Sequence, residues 1–259
     1  MKKFFATQVI IIVDIMIASS ILPKRPIRSL RASYAAASSS ESGSSSHGSM
    51  ARRGGDSLQG RGALARAMEI DRAGPRAPRP SASVMLRRGE QILVCHRTSG
   101  VPAFPDYWAF PGGGVSRVDR DPLFALFREM IEEVGLTPQL TQIDAHLRQE
   151  ILQDKSAFNR MIEQGQIESN ESSFKIISER TTPPFGPLRF HNHFFTAKCE
   201  VDPILEQGER VEFDAYRWET PQNLLNEWMH HELKIPPPIV MLLRDLVGKP
   251  LEEAVRILA

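Results

Sequence analysis

Three glutamates at helical spacing are the strongest chemical signal in this sequence. Glu129, Glu132 and Glu133 stand at positions i, i+3 and i+4, which places their carboxylates on one face of a helix. Three like charges on one face repel each other unless a cation lies among them. Carboxylate oxygens are hard ligands of the kind that Mg²⁺ and Mn²⁺ prefer. The spacing therefore predicts a site for Mg²⁺ or Mn²⁺, against the simpler interpretation of an acidic helix face in solvent.

The residues around these glutamates predict the helix that must carry them. Asp121 can cap its N-terminus, Pro122 suits its first turn, and Gly135 can end it in a left-handed conformation. Between these ends, apolar residues recur at three- and four-residue steps and form one stripe: Leu123, Leu126, Phe127, Met130, Ile131 and Val134. The predicted helix buries this stripe and presents the glutamates elsewhere.

A run of glycines precedes the helix, and together they carry a family resemblance. Gly112, Gly113 and Gly114 lead into a helix that ends in Arg128-Glu129-Met130-Ile131-Glu132-Glu133-Val134-Gly135-Leu136. The stretch resembles the Nudix box: a glycine, five residues, a glutamate, seven residues, then Arg-Glu-apolar-x-Glu-Glu-x-Gly-apolar. Its second half matches at every position from Arg128 to Leu136.

The first half of the box departs from the pattern. Arg120 stands where the box has its first glutamate, with Asp119 and Asp121 on either side, and an extra glycine is consistent with a loop displaced by one residue. In the family that glutamate supports the loop and the helix. The departure therefore concerns loop geometry more than catalysis.

The resemblance implies a fold and a set of site residues. The fold is α/β (α+β), with a mixed β-sheet sandwiched between α-helices and a disordered N-terminal extension. The implied catalytic residues are Glu129, Glu132 and Glu133, which also bind the metal, together with Arg128 and Glu212. Arg128 is expected to hold the helix against the glycine loop through a neighbouring acid or a loop carbonyl. The glycines Gly112, Gly113 and Gly114 are expected to let the backbone approach the substrate closely.

The prediction of Glu212 depends on a second resemblance. Residues 209–218 are similar to a late Nudix strand in which a glutamate precedes Arg-Trp and serves as a metal ligand or a base. Glu212 fits that place best, and Glu209 and Asp214 compete with it. Upstream, Ser83–Arg88 and Gln91–Arg97 flank Gly89-Glu90 and predict a β-hairpin.

Two further segments indicate a substrate. Arg97, followed by Phe110-Pro111-Gly112-Gly113, resembles in part the motif of coenzyme A-cleaving Nudix enzymes, although Pro102 and Asp106 replace its second arginine and its glycine. Residues 182–197 resemble the peroxisomal coenzyme A diphosphatase branch. These resemblances imply hydrolysis of coenzyme A or acyl-coenzyme A to 3′,5′-ADP and phosphopantetheine. The alternatives are an ADP-ribose or dinucleotide pyrophosphatase, and a catalytically silent module that binds a nucleotide or a partner protein.

Arg189, His191 and His193 alternate with apolar and amide residues along a predicted strand. One face of this strand could present basic groups to a diphosphate, or could simply face solvent. The two histidines could bind metal, but the sequence shows no third ligand at useful spacing.

Composition limits what else the chain can be. A formal net charge of +1 over 259 residues gives no electrostatic case for nucleic acid, so the expected partner is a small nucleotide. Two cysteines, Cys95 and Cys199, provide neither a disulfide framework nor a zinc cluster.

The sequence predicts a leader, residues 1–79, followed by a domain that resembles Nudix hydrolases, residues 80–259, with an insertion at about 140–187. The leader has a short apolar run that is interrupted by Asp14 and predicts no stable membrane span. A Ser-, Ala- and Arg-rich segment follows and predicts disorder. This composition is typical of a transit peptide to a plastid or mitochondrion. The alternative is a start at Met50 or Met68 and a cytoplasmic protein.

Overall fold

The computed structural model describes residues 77–184, 188–205 and 211–259. The predicted leader lies almost wholly outside the described residues, so its disorder and its targeting role stay predictions. Within the described part of the chain, none of the helices has the length and apolar character needed to cross a membrane.

Among the described residues, seven strands form one mixed sheet. β1 and β6 run parallel, whereas the other pairs are antiparallel. The strand order is β3-β2-β1-β6-β5, with β4 paired to β1 and β7 paired to β2. The predicted hairpin is confirmed, since Arg88 lies opposite Gln91 across the turn. The strands are β1 (Arg79–Arg88), β2 (Gln91–Arg97), β3 (Trp108–Ala109), β4 (Gly112–Gly114), β5 (Lys175–Thr181), β6 (Phe190–Lys198) and β7 (Phe213–Glu219).

The described residues place helices on both faces of this sheet. Successive strand residues point to opposite faces. Val84 of β1 packs in one apolar cluster with α1, α2 and α3, and Met85 packs in a second with α4, α5 and α6. The predicted fold, a mixed sheet sandwiched between helices, is therefore confirmed. The helices are α1 (Pro122–Val134), α2 (Ala145–Gln153), α3 (Ala157–Glu163), α4 (Pro221–Met229), α5 (Pro237–Leu246) and α6 (Leu251–Leu258).

α1 begins and ends as its sequence predicts. The backbone N–H of Phe124 donates to Asp121 Oδ1 at 2.9 Å, and Gly135 ends the helix with φ 64°. Phe127 and Met130, on the apolar stripe, are fully buried against the sheet. Burial of this stripe fixes the rotation of the helix, and thereby the direction of its glutamates.

The segment predicted as an insertion, residues 140–187, contains regular structure. It includes α2, α3, a 3₁₀ turn at Glu171–Ser173 and the edge strand β5. Whether the segment is inserted relative to other family members stays a prediction.

Candidate active site

The α1 glutamates lie against the glycine strand β4. Glu129 and Glu133 are only 9% and 7% exposed. The backbone N–H of Gly112 donates to Glu133 Oε2 at 2.8 Å. A Cβ on Gly113 would lie 2.6 Å from Glu129 Cδ, which no real side chain tolerates. Gly112 has φ 142°, and a Cβ there would lie 2.2 Å from the carbonyl oxygen of Ala82. Gly113 therefore gives the carboxylate of Glu129 room, and Gly112 lets β4 lie close against β1.

Arg128 ties these carboxylates to the loop before the helix. Its side chain is fully buried, and its Nε and Nη2 donate to the two oxygens of Asp119 at 2.8 and 2.9 Å. Its Nη1 donates to Glu129 Oε1 at 2.8 Å and to Glu132 Oε1 at 2.7 Å. Burial by itself would lower the pKa of Arg128, but its bonds to Asp119 and the nearby charges of Glu129 and Glu132 raise it. The guanidinium stays charged and holds one orientation.

The acid that sequence analysis left open for Arg128 is Asp119. Its side chain is 1% exposed and also accepts from Ser116 N and Oγ, both at 2.7 Å. Burial by itself would raise the pKa of Asp119, but the bonds from Arg128 and Ser116 lower it. Arg120, at the position of the first box glutamate, instead pairs with Glu171 at 2.9 Å on the surface. Asp119 thus supports the loop and the helix, the task that the resemblance assigned to that glutamate.

Glu212 meets the α1 glutamates from the other side of a cleft. It directly precedes β7, and its carbonyl accepts from the N–H of Thr98 at 2.9 Å, just after β2. Arg97 Nη1 lies 2.6 Å from Glu212 Oε1. The cleft is lined by four carboxylates and three other residues: Glu129, Glu132, Glu133, Glu212, Leu152, Val211 and Phe213. Residues about 80 positions apart therefore form one acidic site.

The competitors of Glu212 are placed differently. Asp214 Oδ1 lies 2.6 Å from His96 Nδ1, the Asp214 side chain is 51% exposed, and it does not line the cleft. Glu209 lies outside the described residues. Of the two described candidates, only Glu212 joins the α1 glutamates.

The carboxylates of the cleft repel each other. Burial raises the pKa of Glu133 well above its ordinary value, and the charges of Glu212 and Glu129 raise it further. Burial also raises the pKa of Glu129. The charge of Arg128 opposes this rise, and the charge of Glu132 adds to it. A bound cation would relieve this repulsion, and a donor set made only of oxygens suits Mg²⁺ or Mn²⁺. The residues present therefore fit a divalent cation, with Glu129, Glu132 and Glu133 as its predicted ligands.

The residues predicted to bind substrate are arranged around the same cleft. Gly112 donates to Glu133 and Gly113 leaves room for Glu129, whereas a Cβ on Gly114 would meet nothing within 4 Å. Arg97 donates to the carbonyl of Ala103 at 3.0 Å besides pairing with Glu212. Contact of these four residues with substrate stays a prediction.

The structure also brings together a group that sequence analysis missed. His191 and His193 of β6 lie beside Glu179 of β5, and one ligand atom from each falls within 4.8 Å of the others. Glu179 is 12 and 14 positions from the two histidines in sequence. Only the pairing of β5 with β6 brings it into place, so residue spacing gave no indication of it.

Several known proteins are similar to this chain. Residues 77–237 match the family model described as the NUDIX domain. Two curated proteins, both named RNA pyrophosphohydrolase, are similar to part of the chain. The one from Thioalkalivibrio sulfidiphilus is 37% identical over 65 residues, which cover 25% of this chain and 35% of the relative. The one from Hahella chejuensis is 39% identical over 70 residues, which cover 27% of this chain and 40% of the relative. The chain therefore spans less than half the length of these relatives.

A solved structure shows the same fold. The crystal structure of a NUDIX hydrolase from Alicyclobacillus acidocaldarius superposes with a TM-score of 0.63 at 22% sequence identity. The superposition covers 71% of this chain and 97% of that one. The likeness extends over nearly the whole of the solved domain.

Proposed function

This chain belongs to the NUDIX family, and from that premise we propose that it hydrolyses the diphosphate linkage of a nucleoside diphosphate derivative with the help of a divalent cation. One observation carries the proposal. Glu212 shares a cleft with three glutamates of α1, so four carboxylates from two distant parts of the chain converge there.

The charges of the substrate explain why such a cleft is needed. A diphosphate carries several negative charges, which repel both an attacking water and the acidic cleft itself. A divalent cation bound by Glu129, Glu132 and Glu133 supplies charge neutralisation and Lewis acidity to the phosphates. Arg128 keeps Glu129 and Glu132 in place for that purpose, since its Nη1 bonds to both.

Hydrolysis also requires a base. The oxygen of water attacks one phosphorus, the bond from that phosphorus to the bridging oxygen breaks, and a carboxylate accepts the proton of the water. Glu212 is our first candidate for this carboxylate, because its side chain is 37% exposed whereas that of Glu132 is 13% exposed. An α1 glutamate that does not contact the cation directly is the second.

The support of Arg128 by Asp119 favours an enzyme over a silent binding module. The main argument for a silent module is Arg120 in place of the first box glutamate. Asp119 supplies the missing carboxylate from the neighbouring position, with two bonds to Arg128. The irregular loop therefore retains the support that catalysis needs.

We propose coenzyme A or an acyl-coenzyme A as the first substrate to test. Support comes from the resemblance of residues 182–197 and of the run from Arg97 to Phe110 to coenzyme A-cleaving members of the family. ADP-ribose and dinucleotides remain the alternatives among small substrates. The 5′-pyrophosphate of RNA is a second candidate, because the matched curated relatives are named RNA pyrophosphohydrolases.

The test is cleavage by the purified chain with Mg²⁺ or Mn²⁺, with products identified by mass spectrometry. The panel is coenzyme A, acetyl-coenzyme A, ADP-ribose, NADH and 5′-triphosphorylated RNA. Release of 3′,5′-ADP supports the coenzyme A assignment, and cleavage of another substrate alone would replace it. Glu132→Gln serves as the inactive enzyme and Glu163→Gln, at an exposed position on α3, as its matched control. Nucleotide binding without cleavage of any substrate would favour the silent module.

A further inference from the structure

A second group of metal-ligating side chains lies on the sheet, and none of its residues lines the acidic cleft. We propose that Glu179, His191 and His193 bind a divalent transition-metal ion of the zinc class, with three protein ligands and one position open to water. This group, the β5–β6 cluster, shares no residue with the α1 site. The inference therefore stands independently of the proposed function.

Strand register builds the cluster. β5 and β6 are antiparallel, with Glu179 opposite His193 and Thr181 opposite His191. Residues two positions apart on a strand point to the same face, so both imidazoles lie on the face of Glu179. Directly opposed residues of neighbouring strands have Cβ atoms about 4.5–5.5 Å apart, which is within reach of a shared ion.

Each imidazole is oriented by a contact of its Nδ1, the nitrogen that does not face Glu179. His193 Nδ1 lies 3.2 Å from the backbone carbonyl of Ser81. A carbonyl can only accept, so Nδ1 carries the proton, and in a neutral ring Nε2 keeps its lone pair. His191 Nδ1 lies 2.7 Å from Thr181 Oγ1, a hydroxyl that can accept from an Nδ1–H and so leave the Nε2 lone pair free. An outer partner on one ring nitrogen is the usual arrangement around a metal-ligating histidine.

The distances favour an ion between the groups over a direct ion pair. His191 Nε2 lies 3.5 Å and His193 Nε2 3.9 Å from the carboxylate oxygens of Glu179. Both distances exceed the ~2.7–3.2 Å of an N–H···O hydrogen bond. In a tetrahedral zinc site, bonds of about 2.0–2.2 Å place neighbouring ligand atoms ~3.3 Å apart. The three ligand atoms lie within 4.8 Å of one another, so side-chain shifts on the order of 1 Å would bring them into a coordination shell.

The donor set selects the class of metal. Two imidazoles with one carboxylate form a ligand set used for zinc sites that keep an open position. Imidazole suits zinc and its transition-metal neighbours, whereas Mg²⁺ prefers oxygen ligands alone. The side chains of His193, His191 and Glu179 are 18%, 37% and 50% exposed, so an ion can reach them from solvent.

The proposal is tested by equilibrium dialysis of the untagged full chain with Zn²⁺, in excess Mg²⁺ to occupy the α1 site. Co²⁺ provides a spectroscopic probe, since its visible absorption reports nitrogen ligation. We expect one Zn²⁺ per chain and at least a 100-fold loss of affinity in His193→Asn. His230→Asn, at an exposed histidine on the same chain, should bind Zn²⁺ like the wild type.

Three further variants keep the result interpretable. Glu179→Gln should also lose Zn²⁺, and circular dichroism will show whether either ligand variant has unfolded. Thr181→Val removes the outer partner of His191 and should weaken Zn²⁺ binding about 10–100-fold. Glu132→Gln should leave Zn²⁺ affinity unchanged. The proposal is overturned if no Zn²⁺ binds, if His193→Asn and Glu179→Gln bind it as tightly as the wild type, or if Glu132→Gln abolishes binding.

Discussion

The α1 site and the β5–β6 cluster are two groups of ligand atoms built in opposite ways. The α1 site collects four carboxylates, three of them from consecutive turns of one helix, around a fully buried arginine. The β5–β6 cluster takes two imidazoles and one carboxylate from two strands, and all three side chains are partly exposed. The first is an oxygen-only site with strong internal repulsion, and the second is a mixed nitrogen and oxygen site.

If both proposed sites bind their metals, this difference would keep the two metals apart. Hard oxygen donors favour Mg²⁺ or Mn²⁺, whereas imidazole favours zinc and similar ions. Support differs as well, since Arg128 and Asp119 form a buried charge network and the histidines depend on single outer hydrogen bonds. Mutations at the two sites should therefore separate their metals, and loss of the buried network should cost the fold far more.

The largest expected effect is on turnover at the α1 site. Glu132→Gln keeps the shape of the side chain but removes a charge that the metal needs. We expect kcat to fall at least about 1,000-fold, equivalent to ~4 kcal/mol, once a substrate is identified. Thermal unfolding should change little, and Zn²⁺ binding at the β5–β6 cluster should persist. Full activity in Glu132→Gln would remove Glu132 from the proposed metal site.

The next effect is on stability and compares adjacent loop residues. Asp119→Ala leaves the buried guanidinium of Arg128 without its two-bond partner, so we expect a loss of about 3 kcal/mol in the free energy of unfolding. Arg120→Ala breaks surface ion pairs and the stacking of its guanidinium 3.6 Å from the centre of the Phe124 ring, and should cost no more than about 1 kcal/mol. Urea unfolding of both variants measures the difference. Equal losses would show that Asp119 does not replace the first box glutamate.

Mg²⁺ and Zn²⁺ should each stabilise the folded protein by binding at a different site. Mg²⁺ at 100 times its dissociation constant should raise the free energy of unfolding by about 2.7 kcal/mol, because it binds the folded carboxylates. The rise should be much smaller in Glu133→Gln. Since the two sites share no ligand, the melting-temperature increments from Mg²⁺ and Zn²⁺ should add. If the increments do not add, the two ions bind at one shared site and the two-site proposal is wrong.

The smallest effect concerns the glycine strand. In Gly113→Ala the new methyl group must displace the carboxylate of Glu129, so Mg²⁺ affinity should fall about tenfold, or ~1.4 kcal/mol. Gly114→Ala meets nothing within 4 Å and is the matched control for metal affinity and stability. Isothermal titration calorimetry measures the Mg²⁺ affinity of the two variants. A Gly113→Ala protein with wild-type Mg²⁺ affinity would place Glu129 outside the coordination shell.

Local sequence determined the helix α1 and the placement of its three glutamates. The caps at Asp121 and Gly135 and the apolar stripe between them depend on residues three and four positions apart, and so do the glutamates. Helical geometry is the same wherever a helix is packed, so this spacing alone placed the three carboxylates on one face. The hairpin at Gly89-Glu90 was predictable for the same reason, because its signal is confined to neighbouring residues.

Tertiary structure decided two features of the sites. One depends on side-chain direction in a loop and the other on strand register. Whether Asp119 or Arg120 meets Arg128 depends on the turn that leads into α1, whose bonds through Ser116 turn Asp119 inward. Glu179 reaches the histidines only through the pairing of β5 with β6, which shifts at an irregularity between Ile176 and Ser178. A shift of one residue in a strand turns every following side chain to the other face, and spacing in the sequence does not specify that shift.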